Sequence, residues 1–288
     1  MKRTILVVLL LAILLGVGAL YWVDLSAYTD HATGFTRLGS VWARYGVLLF
    51  ALAACCGCIA LVGPGAVGAM RHKSRALSLV FCLAGVAGGF YGGLFFYGGL
   101  QQLSVFEMVT GALYLWYGIW LLLAARQFWR QNKPSPTKSA FWGLLAAMPL
   151  CIQTIYRVLS KPASLYRMAP LIRIFSALFA MLWFGMLLRA LYIAMVRRRA
   201  QWMCVCGMAA FLFGLLEFLQ LLYSALYQGT DLQSLAEAAN ALVAGVLAAC
   251  VSVSILNQRE AKQPGVPFGV DLFSEESPAG APPPGIGL

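Results

Sequence analysis

The sequence predicts an all-α integral membrane protein, a bundle of about eight transmembrane helices over residues 1–256 with a disordered tail over 257–288. Three observations predict it. Of the 288 residues, 61% are apolar and only 11% are charged, against about 25% charged in an ordinary soluble domain. The mean hydropathy is +0.80. The apolar residues also gather into eight continuous stretches, each near the roughly 20 residues a helix needs to cross a bilayer core of about 30 Å. A soluble globule could not cover so much apolar surface with 21 basic and 10 acidic side chains. Because the runs are continuous rather than alternating, they read as helices and not as barrel strands.

The spans run over 4–23, 45–69, 76–97, 105–125, 139–157, 171–196, 202–227 and 235–256. The first, preceded by Lys2 and Arg3, resembles a signal peptide with Val17 and Ala19 as a weak cleavage site. Its uncharged run of 20 residues suits a retained anchor better. Orientation follows the basic residues. With the N-terminus inside, Lys2, Arg3, Arg71, Lys73, Arg75, Arg126, Arg130, Lys133, Lys138, Arg197, Arg198, Arg199, Arg259 and Lys262 are cytoplasmic. Arg37, Arg44, Arg157, Lys161, Arg167 and Arg173 fall outside, and Arg189 lies within a span. Fourteen against six places both termini in the cytoplasm, although the outer loop 157–173 breaks the pattern with four basic residues. Trp22, Trp42 and Tyr227 at outer ends, and Trp129 and Trp202 at inner ends, make aromatic belts. The tail from Asn257 carries six prolines, five glycines and the acidic group Asp271, Glu275 and Glu276. It has too few large apolar residues to fold alone, although Val266–Phe273 offers a segment that a partner could hold.

The loop plan of the first half (1–125) recurs in the second (139–256), which suggests a parallel four-plus-four repeat. Arg44 precedes Leu49-Phe50-Ala51-Leu52 as Arg173 precedes Leu178-Phe179-Ala180-Met181. Arg44 stands 63 residues before Glu107, and Arg173 stands 64 before Glu237. Ser104 with Glu107, and Ser234 with Glu237, match the Ser-x-x-Glu capping box that starts a helix. The expectation for these four is structural. Gly88, Gly89, Gly92 and Gly93 give span 3 small residues four apart, the spacing that lets helices approach closely within one chain or across a homo- or hetero-oligomer. Gly63-Pro64-Gly65 and Pro149 are expected to interrupt spans 2 and 5.

The missing chemistry is also informative. The two histidines, His31 and His72, lie in loops, and no span has a central lysine, so a serine-protease arrangement inside the membrane is disfavoured. No P-loop or nucleic-acid-binding motif is present, and the net charge of +11 is explained by the cytoplasmic loops. The eight cysteines all fall in spans and read as small buried apolar groups rather than metal ligands. No cofactor is expected.

Ionisable residues inside a span are costly and mark function. Glu217 lies about 22 Å from the inner end of span 7, and Gln220, Ser224 and Gln228 continue its helical face. Span 5 offers Gln153 and Arg157, span 6 Arg173 and Ser176, span 4 Glu107, Thr110, Tyr114 and Tyr117, and span 8 Glu237 and Asn240. Their expected arrangement is a polar vestibule open to the outside. Glu217, Gln220, Arg157, Gln153 and Arg173 are the candidate solute-binding residues, with Glu217 paired to Arg173 or Arg157. The leading reading is a permease or carrier subunit for a small solute in the cell membrane. A noncatalytic scaffold or assembly factor, and an enzyme acting on lipid-linked substrates, remain open alternatives.

Reporter fusions test the topology. Fusions after Arg75, Lys138 and Arg199 are expected to report cytoplasm, and fusions near Asp30 and Gly229 the outside. Inversion at two or more sites overturns the assignment.

Overall fold

A computed structural model describes residues 2–30, 39–63, 74–129, 140–160, 168–192, 197–227 and 229–257. The His31 and His72 loops, Pro64-Gly65, most of the basic loop residues, Gln228 and the tail beyond Asn257 lie outside the described residues. The regular elements among those described are eight α-helices: α1 (Lys2–Ala27), α2 (Val41–Val62), α3 (Arg75–Gln102), α4 (Val105–Trp129), α5 (Ala140–Ser160), α6 (Met168–Tyr192), α7 (Arg197–Tyr227) and α8 (Leu232–Asn257). Each is long and apolar enough to cross a membrane. The end of the bundle where α1, α3, α5 and α7 finish is called the upper end below.

Most helices outrun the expected spans, because a helix keeps its own hydrogen bonds after the apolar run stops. Helix α7 starts at Arg197, where the apolar run suggested 202. Helix α2 does the reverse and stops at Val62, short of the expected 69. Gly63 takes a left-handed φ of 57° and its N–H closes onto the Ile59 carbonyl, which caps α2, and Pro64-Gly65 fall outside the described residues. Helix α5 continues through Pro149.

Two hairpins form the tightly packed part. Helices α3 and α4 meet backbone to backbone through glycines. A Cβ on Gly92 would lie 2.6 Å from the Leu115 nitrogen, and one on Gly111 would lie 2.5 Å from the Phe96 nitrogen. Helices α7 and α8 meet in the same way, since a Cβ on Gly214 would lie 2.7 Å from the Ala241 carbonyl oxygen. The glycine-rich stretch of α3 is thus divided. Gly88 and Gly92 face neighbours within the chain, whereas Gly89 and Gly93 meet nothing within 4 Å.

Between the hairpins the packing departs from four-plus-four symmetry. Helix α6 packs along α7, but α2 lies on α1 and α7 and not along α3. Helix α3 packs along α8, but α4 does not pack along α7. The matched residues diverge as well. Arg44 pairs with Asp24 at 2.7 Å, far in the chain from the partners of Arg173. Ser104 does accept from the Glu107 N–H, at 3.5 Å, but the reciprocal bond of a capping box is absent because the Ser104 N–H is taken by the Gly99 carbonyl. That bond closes a two-residue turn in which Leu103 adopts a left-handed φ of 53°. Ser234 does not cap α8. Asp231 does, accepting from the Ser234 N–H at 3.0 Å and from its hydroxyl at 2.7 Å. These bonds from Ser234 hold the Asp231 carboxyl below the usual carboxylate range. Glu237 is released from capping.

The glycine packing gives a direct comparison. Gly111→Ala forces its methyl into backbone and is expected to cost about 3 kcal/mol or more. Gly93→Ala enters open space and is expected to gain up to about 1 kcal/mol from helix propensity. Detergent-to-SDS unfolding curves measure both, and equal effects would contradict the packing.

Candidate functional site

Five helices, α3, α4, α5, α6 and α8, form a ring in which α4 does not pack along α6 or α8. Long side chains fill the space they leave. Helix α5 packs on α4 and α6 but not along α7 or α8. Two of its polar residues, Gln153 and Arg157, are four apart and face inward together. They bridge that gap.

Arg157 is the centre of the site. Its Nη2 lies 2.8 Å from Glu217 Oε1 and 2.7 Å from Glu237 Oε1. Its Nη1 lies 3.3 Å from Glu217 Oε2 and also donates to the Arg173 carbonyl. A planar guanidinium can make this fork, whereas a lysine ammonium presents only one point of charge. Gln153 adds a bond from Nε2 to Glu237 Oε1 at 2.9 Å, and the Tyr114 hydroxyl donates to Gln153 Oε1. Arg173 approaches Glu217 with Nε at 3.9 Å, and Ser176 of the same helix adjoins the Glu217 carboxylate. Two guanidinia thus face two carboxylates and the cluster is neutral overall.

The cluster lies below the upper end. Glu217 is ten residues from the end of α7, or about 15 Å. Arg157 is three residues from the end of α5, about 4.5 Å, and its side chain points down toward the carboxylates. Glu217 has no exposed surface and Arg157 is buried. In place of the expected open vestibule, the charges draw together into ion pairs that bury Glu217 and Arg157, while Glu237 and Arg173 stay partly accessible.

Enclosure leaves some polar atoms without partners. Arg157 Nε, Arg173 Nε, Gln220 Oε1, Thr110 Oγ1 and Glu107 Oε2 are buried and make no hydrogen bond. Such atoms are costly unless water or a ligand reaches them. Glu107 stays apart from the ion pairs, with Oε2 near Gly98, which also neighbours Gln233.

Below the cluster the ring is filled by aromatic side chains. Tyr117 and Trp120 of α4 each meet Phe184 of α6 with ring centroids 5.4 Å apart, and all three are fully buried. Tyr91 of α3 meets the Tyr114 ring edge-on at 4.8 Å. Sequence reasoning overlooked Tyr91, Trp120 and Phe184. The spacing of Tyr114, Tyr117 and Trp120, three residues apart, was the available signal for an inward aromatic face.

The predicted residues thus separate into two groups. Glu217, Arg157, Gln153 and Arg173 come together, joined by Glu237. Gln220 follows Glu217 by three residues on α7 and its buried oxygen makes no bond, while Glu107, Arg44, Ser104 and Ser234 lie elsewhere. Arg189 is exposed on the outer surface of α6. Comparison with protein families, curated proteins and solved structures finds no match for this chain.

Removing one member of a buried ion cluster strands the others. Arg157→Ala is expected to lower unfolding free energy by about 3–5 kcal/mol. Glu217→Gln should lower folded yield as well. The triple variant Arg157→Met, Glu217→Gln, Glu237→Gln leaves no charge stranded among these three positions and should recover most of the loss. SDS-titrated unfolding followed by tryptophan fluorescence measures each variant. A loss below about 1 kcal/mol for Arg157→Ala contradicts the cluster.

Proposed function

We propose that this chain is a multi-pass cell-membrane permease or carrier subunit, with both termini in the cytoplasm, in an occluded conformation. Its site for a small polar solute is the cluster of Arg157, Glu217 and Glu237 with Gln153, Gln220 and Arg173. The observation that carries this reading is a charged cluster with buried, unpartnered polar atoms, held inside a ring of helices and closed below by Tyr117, Trp120 and Phe184. A site with both guanidinium and carboxylate groups suits a solute carrying charged or strongly polar groups. The gap between α5 and the α7–α8 hairpin, bridged by side chains alone, offers the place to open. Carriers commonly hold their solute in the middle of the bundle and open by moving one group of helices against another.

A scaffold is the second reading, and the close pairing of Arg157 with both carboxylates favours it. Water access separates the two. Gln220→Cys in oriented membrane vesicles is expected to react with a membrane-impermeant maleimide from one side only, well above the background from the native cysteines. A scaffold leaves Gln220→Cys at background from both sides, and that result would remove the carrier reading.

A further inference from the structure

The partners of the two carboxylates are divided unequally among the helices. The side-chain donors to Glu237 are Arg157 Nη2 at 2.7 Å and Gln153 Nε2 at 2.9 Å, both from α5. Glu217 shares Arg157, but it also has Arg173 at 3.9 Å and the Ser176 hydroxyl, both from α6. Helix α6 packs along α7, which carries Glu217, whereas α5 packs along neither α7 nor α8. A displacement of α5 therefore leaves Glu217 paired and strips Glu237 of both its donors.

We propose that Glu237 is a proton-binding site and that its protonation loosens the hold of α5 on α7 and α8. The inference rests on the carrier reading and gives it a coupling ion. An unpaired carboxylate in an apolar surrounding takes up a proton rather than stay charged. With α5 in place, the carboxylate is ionised and holds the Arg157 guanidinium. With a proton from solution on Glu237, the ionic part of that hold is gone. Of its two carboxylate partners Arg157 then keeps only Glu217, already served from α6, beside the Arg173 carbonyl. Proton uptake and α5 displacement favour each other, as linkage requires.

The other groups around Glu237 fit this assignment. Tyr91 from α3 and Tyr114 from α4 face it as neutral hydroxyls. Arg157 faces it from α5, and Arg173 acts on it from α6. Glu217 of α7 is the other carboxylate of the cluster. On α1, Asp24 is held by Arg44 instead. Of the two carboxylates, Glu237 is also the more exposed, with 21% of its side-chain surface accessible against none for Glu217, so a proton from the upper end meets it first.

The test is the distance between α5 and the rest of the bundle. Spin labels are placed at Leu159→Cys on α5 and Leu100→Cys on α3, both exposed, in full-length protein whose native cysteines are replaced. Double electron–electron resonance then reads the distance distribution in lipid nanodiscs. In the unsubstituted cluster, a longer-distance population is expected to grow between about pH 7.5 and about pH 3.5, a window that includes the ordinary glutamate value of about 4.3. Glu237→Gln should show that population already at the upper pH. Glu217→Gln should still require acid. Identical distributions for Glu237→Gln and the unsubstituted cluster at the upper pH would overturn the proposal, as would Glu217→Gln behaving like Glu237→Gln. If Glu237→Gln does not fold, the acid titration decides, and distances unchanged by pH refute it. Labelling of Gln220→Cys over the same range tells the two failures apart. Failure of the carrier reading leaves that cysteine sealed at every pH, whereas failure of the proton site leaves it reactive without pH dependence.

Discussion

One nitrogen of Arg157 is shared between two carboxylates from two different helices, and the seating of α5 against α7 and α8 depends on it. In water such an arrangement would be worth little, because solvent screens each pair. Inside an apolar bundle the pairs cannot be replaced one at a time. Each member is tolerable because the others are present. Charge balance sets the composition of the cluster, with two guanidinia and two carboxylates. The planar fork of arginine sets its geometry.

The remaining packing divides the molecule into firm and loose parts. The α3–α4 and α7–α8 hairpins are joined by glycines at backbone contact, and contact that close resists sliding. Helices α3 and α8 then join the hairpins to one another. Helix α5 has no such seam with α7 or α8 and reaches them by two side chains. Rotatable side chains accommodate motion that interlocked backbones do not. The looser packing and the charge thus meet at the same helix.

Much of this was legible in the sequence, for reasons that also explain the rest. Eight spans follow from eight continuous apolar runs. Their ends do not, since residues such as Arg197 extend a helix in water as readily as in lipid. The inward polar faces follow from spacings of three and four, so Glu217, Gln153 and Arg157 could be placed at similar depth. Depth does not specify how each helix is rotated or which neighbours it meets, and so Arg157 rather than Arg173 as the close partner of Glu217 emerged only from the fold. Ser234 and Glu237 matched a capping pattern, but Asp231 lies three residues earlier and its carboxylate is the stronger acceptor. Glu237 was thereby freed for the cluster, a competition that a four-residue pattern does not represent.

The order of the chain has a consequence for biosynthesis. Arg157 precedes Glu217 by 60 residues and Glu237 by 80. At about 5–20 residues per second, its first partner is made roughly 3–12 seconds after it. On the proposed topology, α5 enters the bilayer during that interval with a lone cation. Its place near the helix end lets the long side chain reach the lipid headgroups and wait there. Closing the bundle then means drawing that guanidinium inward once α7 and α8 have arrived. Assembly of the cluster would accordingly finish with α7 and α8, and a nascent chain halted before them would hold α5 in the membrane without the carboxylates that seat it.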